Sequence, residues 1–405
     1  MNRQMNRLIV AAAAALIFNA AHGQGGLRPE VGHPLQAAEQ MIKAGKYREA
    51  LEKVREADAV GGKTGAETTM IERMRLAAAS GAGDADTAAH AFDALGASMS
   101  GPDKLRTIES IAGTYYRAKD YAKAQQWYAR YFKEGGTSSA DRTLMIQTQY
   151  LSGDLAGASK ELMAEIQGAE RSGAVPSEDR INLLMNAAVR QKDVNSETFA
   201  LERLVMYYPK KEYWVTLLAR LQSKPGFSDR LSLDAYRLSL ATGSMTAAAD
   251  YSEMAQLALQ AGSGAEAKQV IDKGFAAGIL GVGPQAERDK RLRDLVNKRI
   301  DEAKKTEAND ETQAASAKDG NDLVTLGLNE VYGGQKAKGL QMMQQGIATG
   351  GLKRPEDAKL HLAIAQLAAG DNVKAQATLK TVSGNDGTGD LARLWALYAR
   401  RAKAT

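Results

Sequence analysis

The chain has 405 residues and a formal charge of +5, with 53 basic and 48 acidic side chains and no cysteine. The missing cysteine excludes disulfides, thiol catalysis, thiolate metal sites and a lipoprotein anchor that needs a cysteine at the cleavage site. Acidic and basic residues are interspersed, which excludes a nucleic-acid-binding stripe, while abundant alanine and the near absence of β-branched runs argue for an all-α chain.

The first element is a leader. Arg3 and Arg7 precede an apolar run from Leu8 to Phe18, and Ala21-His22-Gly23 places small residues at −3 and −1. This pattern predicts a cleavable secretory signal over 1–23, cut after Gly23, with Met5 an equally workable start. The run is too short to favour a membrane anchor, and no later run is long enough to cross a bilayer. The chain is therefore expected in a periplasm, or secreted. Residues 24–32 read as a short flexible leader.

From residue 33 to 283, and again from 320 to 385, one local pattern recurs. A turn is followed by a small residue, then by large apolar residues four and seven positions later. Lys119-Asp120-Tyr121 leads to Ala124, Tyr128 and Tyr131, and on the preceding helix Ile108, Ala112 and Tyr115 repeat the spacing. Gly45-Lys46 leads to Ala50, Val54 and Ala57, Gly262-Ser263 to Ala267, Ile271 and Gly274, and Gly370-Asp371 to Ala375, Leu379 and Val382. Weaker copies pivot on Ala88, Ala158 and Gly339. One copy is degenerate, because Glu197 stands where a small residue belongs. In another, the insertion Lys224-Pro225-Gly226-Phe227 displaces the second helix to about Asp234–Thr242. Small residues recur because two helices approach to about 8 Å only where nothing bulky stands at the crossing.

This motif resembles the tetratricopeptide repeat, over roughly 33–283 and 320–385. The resemblance implies a right-handed α-solenoid of antiparallel helical hairpins, a TPR-like superhelix. Within it the first helix of each hairpin lines a concave face that holds a protein or peptide. The segment Tyr208–Leu217 and the run Pro355–Ala365 are also similar to bacterial tetratricopeptide proteins linked to TonB/ExbB-type systems. They imply, as an alternative, an accessory of envelope energy coupling or transport.

Residues 284–319 differ. Leu292, Leu295, Val296, Arg299 and Ile300 share one helical face, but beyond Ala303 the pattern fades, so this segment reads as a charged helix running into a linker. Residues 320–405 read as further hairpins closed by an amphipathic capping helix, Gly389–Arg401, since a solenoid needs its last apolar face covered.

No constellation for chemistry emerges. His33, His90 and His361 sit apart, without metal-ligand or triad spacing. Gly262–Ala267 has the form G-x-G-x-x-A, but a helix precedes it where a dinucleotide fingerprint needs a strand. The expectation is a non-enzymatic chain without a cofactor, binding a protein or peptide partner of the cell envelope. Taking each hairpin's first helix as inward-facing selects Tyr116 and Arg117, Gln147 and Tyr150, and Gln256. Asn182, Asn186 and Arg190 recur at i, i+4 and i+8 on one stripe. Asparagine is a poor helix former that offers both donor and acceptor, and Arg190 suits a carboxylate.

Overall fold

The computed structural model describes residues 27–401, so the leader expected over 1–23 lies outside the described residues. Among the described residues every regular element is a helix, and the helices pair as antiparallel hairpins. The chain divides into two compact units, residues 1–164 and 165–405.

In the first unit the hairpins are α1 (Pro29–Lys43) with α2 (Tyr47–Asp58), α3 (Gly65–Ala82) with α4 (Ala85–Leu95), and α5 (Gly101–Arg117) with α6 (Tyr121–Lys133), followed by α7 (Ser139–Ser152). Each hairpin also packs on its successor, α2 on α3, α4 on α5 and α6 on α7, which is how a repeat without a core of its own hides its apolar face. Ile71, Phe92, Ile108 and Tyr128 lie in one continuous core. The helix begins at Pro29, inside the segment expected to be a flexible leader. Arg28 explains this: its guanidinium and backbone N–H both donate to Glu67, at 3.0 and 3.1 Å, which ties the start of α1 to α3.

The turn between paired helices has a recurring construction. A residue in the left-handed region ends the first helix, and the following Asp caps the second. Gly83, Lys119, Lys192 and Gly370 have φ of 75°, 63°, 58° and 90°. Asp84, Asp120, Asp193 and Asp371 each accept from a backbone N–H in the first turn of the next helix, which satisfies donors the helix leaves unpaired.

α8 (Leu155–Arg171) carries the division between the units. The second unit begins with three hairpins in a row: α9 (Glu178–Gln191) with α10 (Val194–Tyr207), α11 (Lys211–Gln222) with α12 (Ser232–Thr242), and α13 (Ala248–Gln260) with α14 (Gly264–Ala276). The degenerate copy folds all the same. Glu197 is buried where a small residue was expected, and Arg220 of α11 pairs with its carboxylate.

α15 then runs unbroken from Ala286 to Ser316, through the stretch expected to become a linker. Ala314 is buried with Leu323 and Met342, and Lys338 pairs with Glu311 near the far end of the helix, so tertiary packing sustains what local periodicity does not. Behind it come α16 (Asn321–Tyr332) with α17 (Lys336–Thr349), α18 (Pro355–Ala369) with α19 (Asn372–Leu379), and the last helix α20 (Thr388–Arg401). This second row lies back over the first in reverse order. α16 packs on α14, and α20 packs on both α12 and α10. α20 also covers α18 and α19, so the expected capping helix closes the last hairpin and reaches the beginning of the unit as well.

Candidate protein-binding face

Of the first helices in the second unit's opening row, α9 carries three of the residues selected from sequence and α13 carries one. On α9 the core side is set by Ile181, Leu184, Ala187 and Ala188, all fully buried. Asn182, Asn186 and Arg190 project from the opposite side; Asn182 is half-buried, Asn186 and Arg190 are exposed, and the apolar Val189 stands exposed beside them. Asn182 donates to the Tyr213 hydroxyl of α11 at 3.3 Å, and that hydroxyl donates to Glu178 at 2.6 Å. Lys210 also donates to Glu178 at 2.6 Å. The Lys210 ammonium, then the Tyr213 hydroxyl, hold the Glu178 carboxyl below its ordinary range. Burial, then Glu178, pushes the Tyr213 phenol up. Asn182 thus belongs to a polar network spanning two first helices. Gln256, on α13, is half-buried.

In the first unit, Tyr116 of α5 donates to Gln147 of α7 at 3.1 Å, bridging consecutive first helices in the same manner. Arg117 is exposed and donates to Thr114 within its own helix, and Tyr150 is half-buried on α7. The expected residues therefore fall into two sets: Tyr116, Arg117, Gln147 and Tyr150 in the first unit, and Asn182, Asn186, Arg190 and Gln256 in the second.

The second-helix side of the same row is closed by a network that the sequence does not announce. Arg237 of α12 is buried and donates to both oxygens of Glu266 at 2.6 Å and to Asp234 at 2.7 Å. His361 of α18 meets Asp234 at 3.0 Å. Burial works against the charge on Asp234, but His361 and Arg237 outweigh it and hold its carboxyl well below the usual range. Burial likewise opposes the charge on Arg237, and Glu266 and Asp234 together raise it well above its ordinary value. Tyr332 of α16 stands nearby, its phenol raised by burial and then by Glu266. At the edge of the layer Arg230 forms a fork with Asp357, both bonds 2.9 Å, and also reaches Asp386 at 2.7 Å. Lys224 of the insertion pairs with Asp390 at 2.6 Å, and Arg393 pairs with Glu202. The insertion that displaces α12 thus serves as a fastening point for α20.

Among the described residues, Glu307, Glu311 and Glu330 bring three carboxylates within 4.8 Å of one another. Lys338 pairs with all three, so its ammonium takes the place a cation would hold, and the group is an ion-pair hub. No described helix is long and apolar enough to cross a membrane.

No family model matches the chain, and no curated protein matches it. Among solved structures, the crystal structure of the yeast Tom70 is similar over 92% of this chain and 96% of its own, at 11% identity and a TM-score of 0.19. A structure of Naa15/Naa10 bound to HypK-THB is similar over 98% of this chain and 68% of its own, at 14% identity and a TM-score of 0.30. Superpositions this loose carry nothing about partner, activity or family; the all-helical architecture of stacked hairpins is seen in this chain's own helices and their packing.

Proposed function

We propose that this chain is a non-enzymatic scaffold that binds a protein or peptide partner on the first-helix side of its hairpins, and that it does so in the periplasm after export. One observation carries the choice of face. In the second unit the chain's own C-terminal row occupies the second-helix side and is fastened there by Arg230 to Asp357 and Asp386, Lys224 to Asp390, Arg393 to Glu202 and the His361–Asp234 contact, whereas Asn186 and Val189 stand exposed on the first-helix side. Exposed Asn and Arg side chains beside an isolated apolar residue suit an extended segment, whose backbone the amides bind and whose carboxylate an arginine pairs. The signal pattern of residues 1–23 supports the location, and the TonB/ExbB reading gains no support from the fold.

The test pairs two measurements on Asn186→Ala and Arg190→Ala. Each variant should melt as the parent does, because the positions are exposed, and each should lose a partner that co-purifies with the parent. A charge-assisted hydrogen bond lost at the interface corresponds to about 1.5–3 kcal/mol. Undiminished partner recovery would remove this stripe from the interface. For location, residues 1–30 fused to a reporter should be exported and cut after Gly23; mass spectrometry showing Met1 or Met5 retained on a membrane-bound product would replace export by anchoring.

A further inference from the structure

Between the two rows of the second unit lies a half-open cavity of about 220 Å³. Its walls come from both rows: Met254 and Val270 from the first, Ile364, Leu367, Trp395 and Tyr398 from the second. Trp395 and Tyr398 meet edge to face at 5.6 Å, an arrangement ready to take a further ring. Its buried wall includes Arg237 and Glu266. Their charges are mutually satisfied, since every guanidinium nitrogen donates to a carboxylate, so this wall makes no demand on an occupant for a counter-charge. The mouth is different. Lys273 lines it, is exposed, and has no ion-pair partner among the described residues. Beside the cavity the buried indole N–H of Trp395 also has no acceptor.

We infer that this cavity is a binding site for a small aryl carboxylate, with its ring between Met254, Trp395 and Tyr398 and its carboxylate at Lys273. Size sets the body of the ligand. A dry cavity of about 150 Å³ holds benzene, so this one accepts a ring with a short side chain. Charge sets the head group, because the only cation at the wall without a carboxylate partner stands at the mouth, where a head group keeps part of its hydration. The site exists only where the two rows meet, since its walls come from both. Occupancy therefore stabilises the packing of one row on the other, by mass action on the folded form.

The experiment uses the full chain, 3-phenylpropionate as probe and 3-phenylpropionamide as its neutral twin, with calorimetry and thermal melting as readouts. The acid should bind and raise the melting temperature, and the amide should bind about tenfold more weakly, the cost of one charge-assisted contact. Lys273→Gln should bring the acid down to the level of the amide without moving the melting temperature of the ligand-free protein. Ala368→Trp, at the exposed mouth, should abolish binding of both; if it lowers ligand-free stability, Ala241→Trp blocks the mouth from the other row. No binding of the acid up to its solubility limit, an acid–amide difference that survives Lys273→Gln, or binding that survives a blocked mouth would each overturn the assignment.

Discussion

Arg237 shows how a buried charge joins neighbouring helices of one row and orders the carboxylate that meets the next. Its three nitrogens are bound to Asp234 and Glu266, and Asp234 in turn meets His361 of the overlying row. A buried pair of this kind adds little net stability over an apolar substitute, but breaking it from one side leaves an uncompensated charge. Arg237→Met should therefore cost about 3–5 kcal/mol in chemical denaturation, with the second unit affected first. Glu67 gives the residue-scale prediction for pH. The side chain of Arg28, then the backbone of Thr64, draws its carboxyl from 4.5 down to about 2. A depressed carboxyl contributes stability that is present above its unfolded value and lost as pH falls through its folded value. The tether of α1 to α3 is thus intact above pH 4.5 and released on the way to about 2, and Glu67→Gln should flatten that part of an acid titration followed through Trp127. None of these residues could be recognised from sequence. Asp234 and Arg237 are three apart on one helix, the spacing of an ordinary solvated pair, and His361 lies 127 positions away. Local pattern carries no information about a partner brought by a fold reversal.

At the scale of elements, sequence was far more legible, because crossings and turns are local. Ala124, Ala267 and Gly339 stand where the repeat pattern places small residues at helix crossings. Ala124 and Ala267 are fully buried, and a Cβ added to Gly339 would lie 2.3 Å from the backbone oxygen of Gly327. Gly339→Ala should accordingly destabilise the α16–α17 hairpin by about 1–3 kcal/mol through overpacking, measured by thermal melting. The turns make the opposite prediction. Lys119 and Lys192 hold the left-handed conformation at 63° and 58°, where matching turns use glycine. Relief of that strain exceeds the entropy glycine loses, so Lys119→Gly should stabilise by about 0.5–1 kcal/mol. An unchanged or lower melting temperature would mean the turn is not under strain. α15 marks where element-level reading stops. Its outer half has no apolar stripe of its own, and its helical state depends on contacts made by Ala314 and Lys338.

At the scale of the molecule, the repeat pattern conveyed all-helical hairpins but not the route of the second unit. Hairpin sequences do not encode whether the next row extends the stack or turns back on it. That choice is made by α15, which packs against α13, α14 and α16, and by the fastenings at Arg230, Lys224 and Arg393. The reversal covers one side of the opening row in that unit and leaves the other, the side proposed for binding, uncovered by that row. The expected site residues on α9 are positioned by this logic, with Asn186 opposite the helix core and Asn182 drawn into the Tyr213–Glu178 network. The central claim is best tested in cells, with a photo-crosslinking amino acid placed at Asn186 on α9 or at Lys305 on the exposed outer half of α15. A discrete partner adduct from Asn186 and none from Lys305 is the predicted result; an adduct from Lys305 with none from Asn186 would contradict the account.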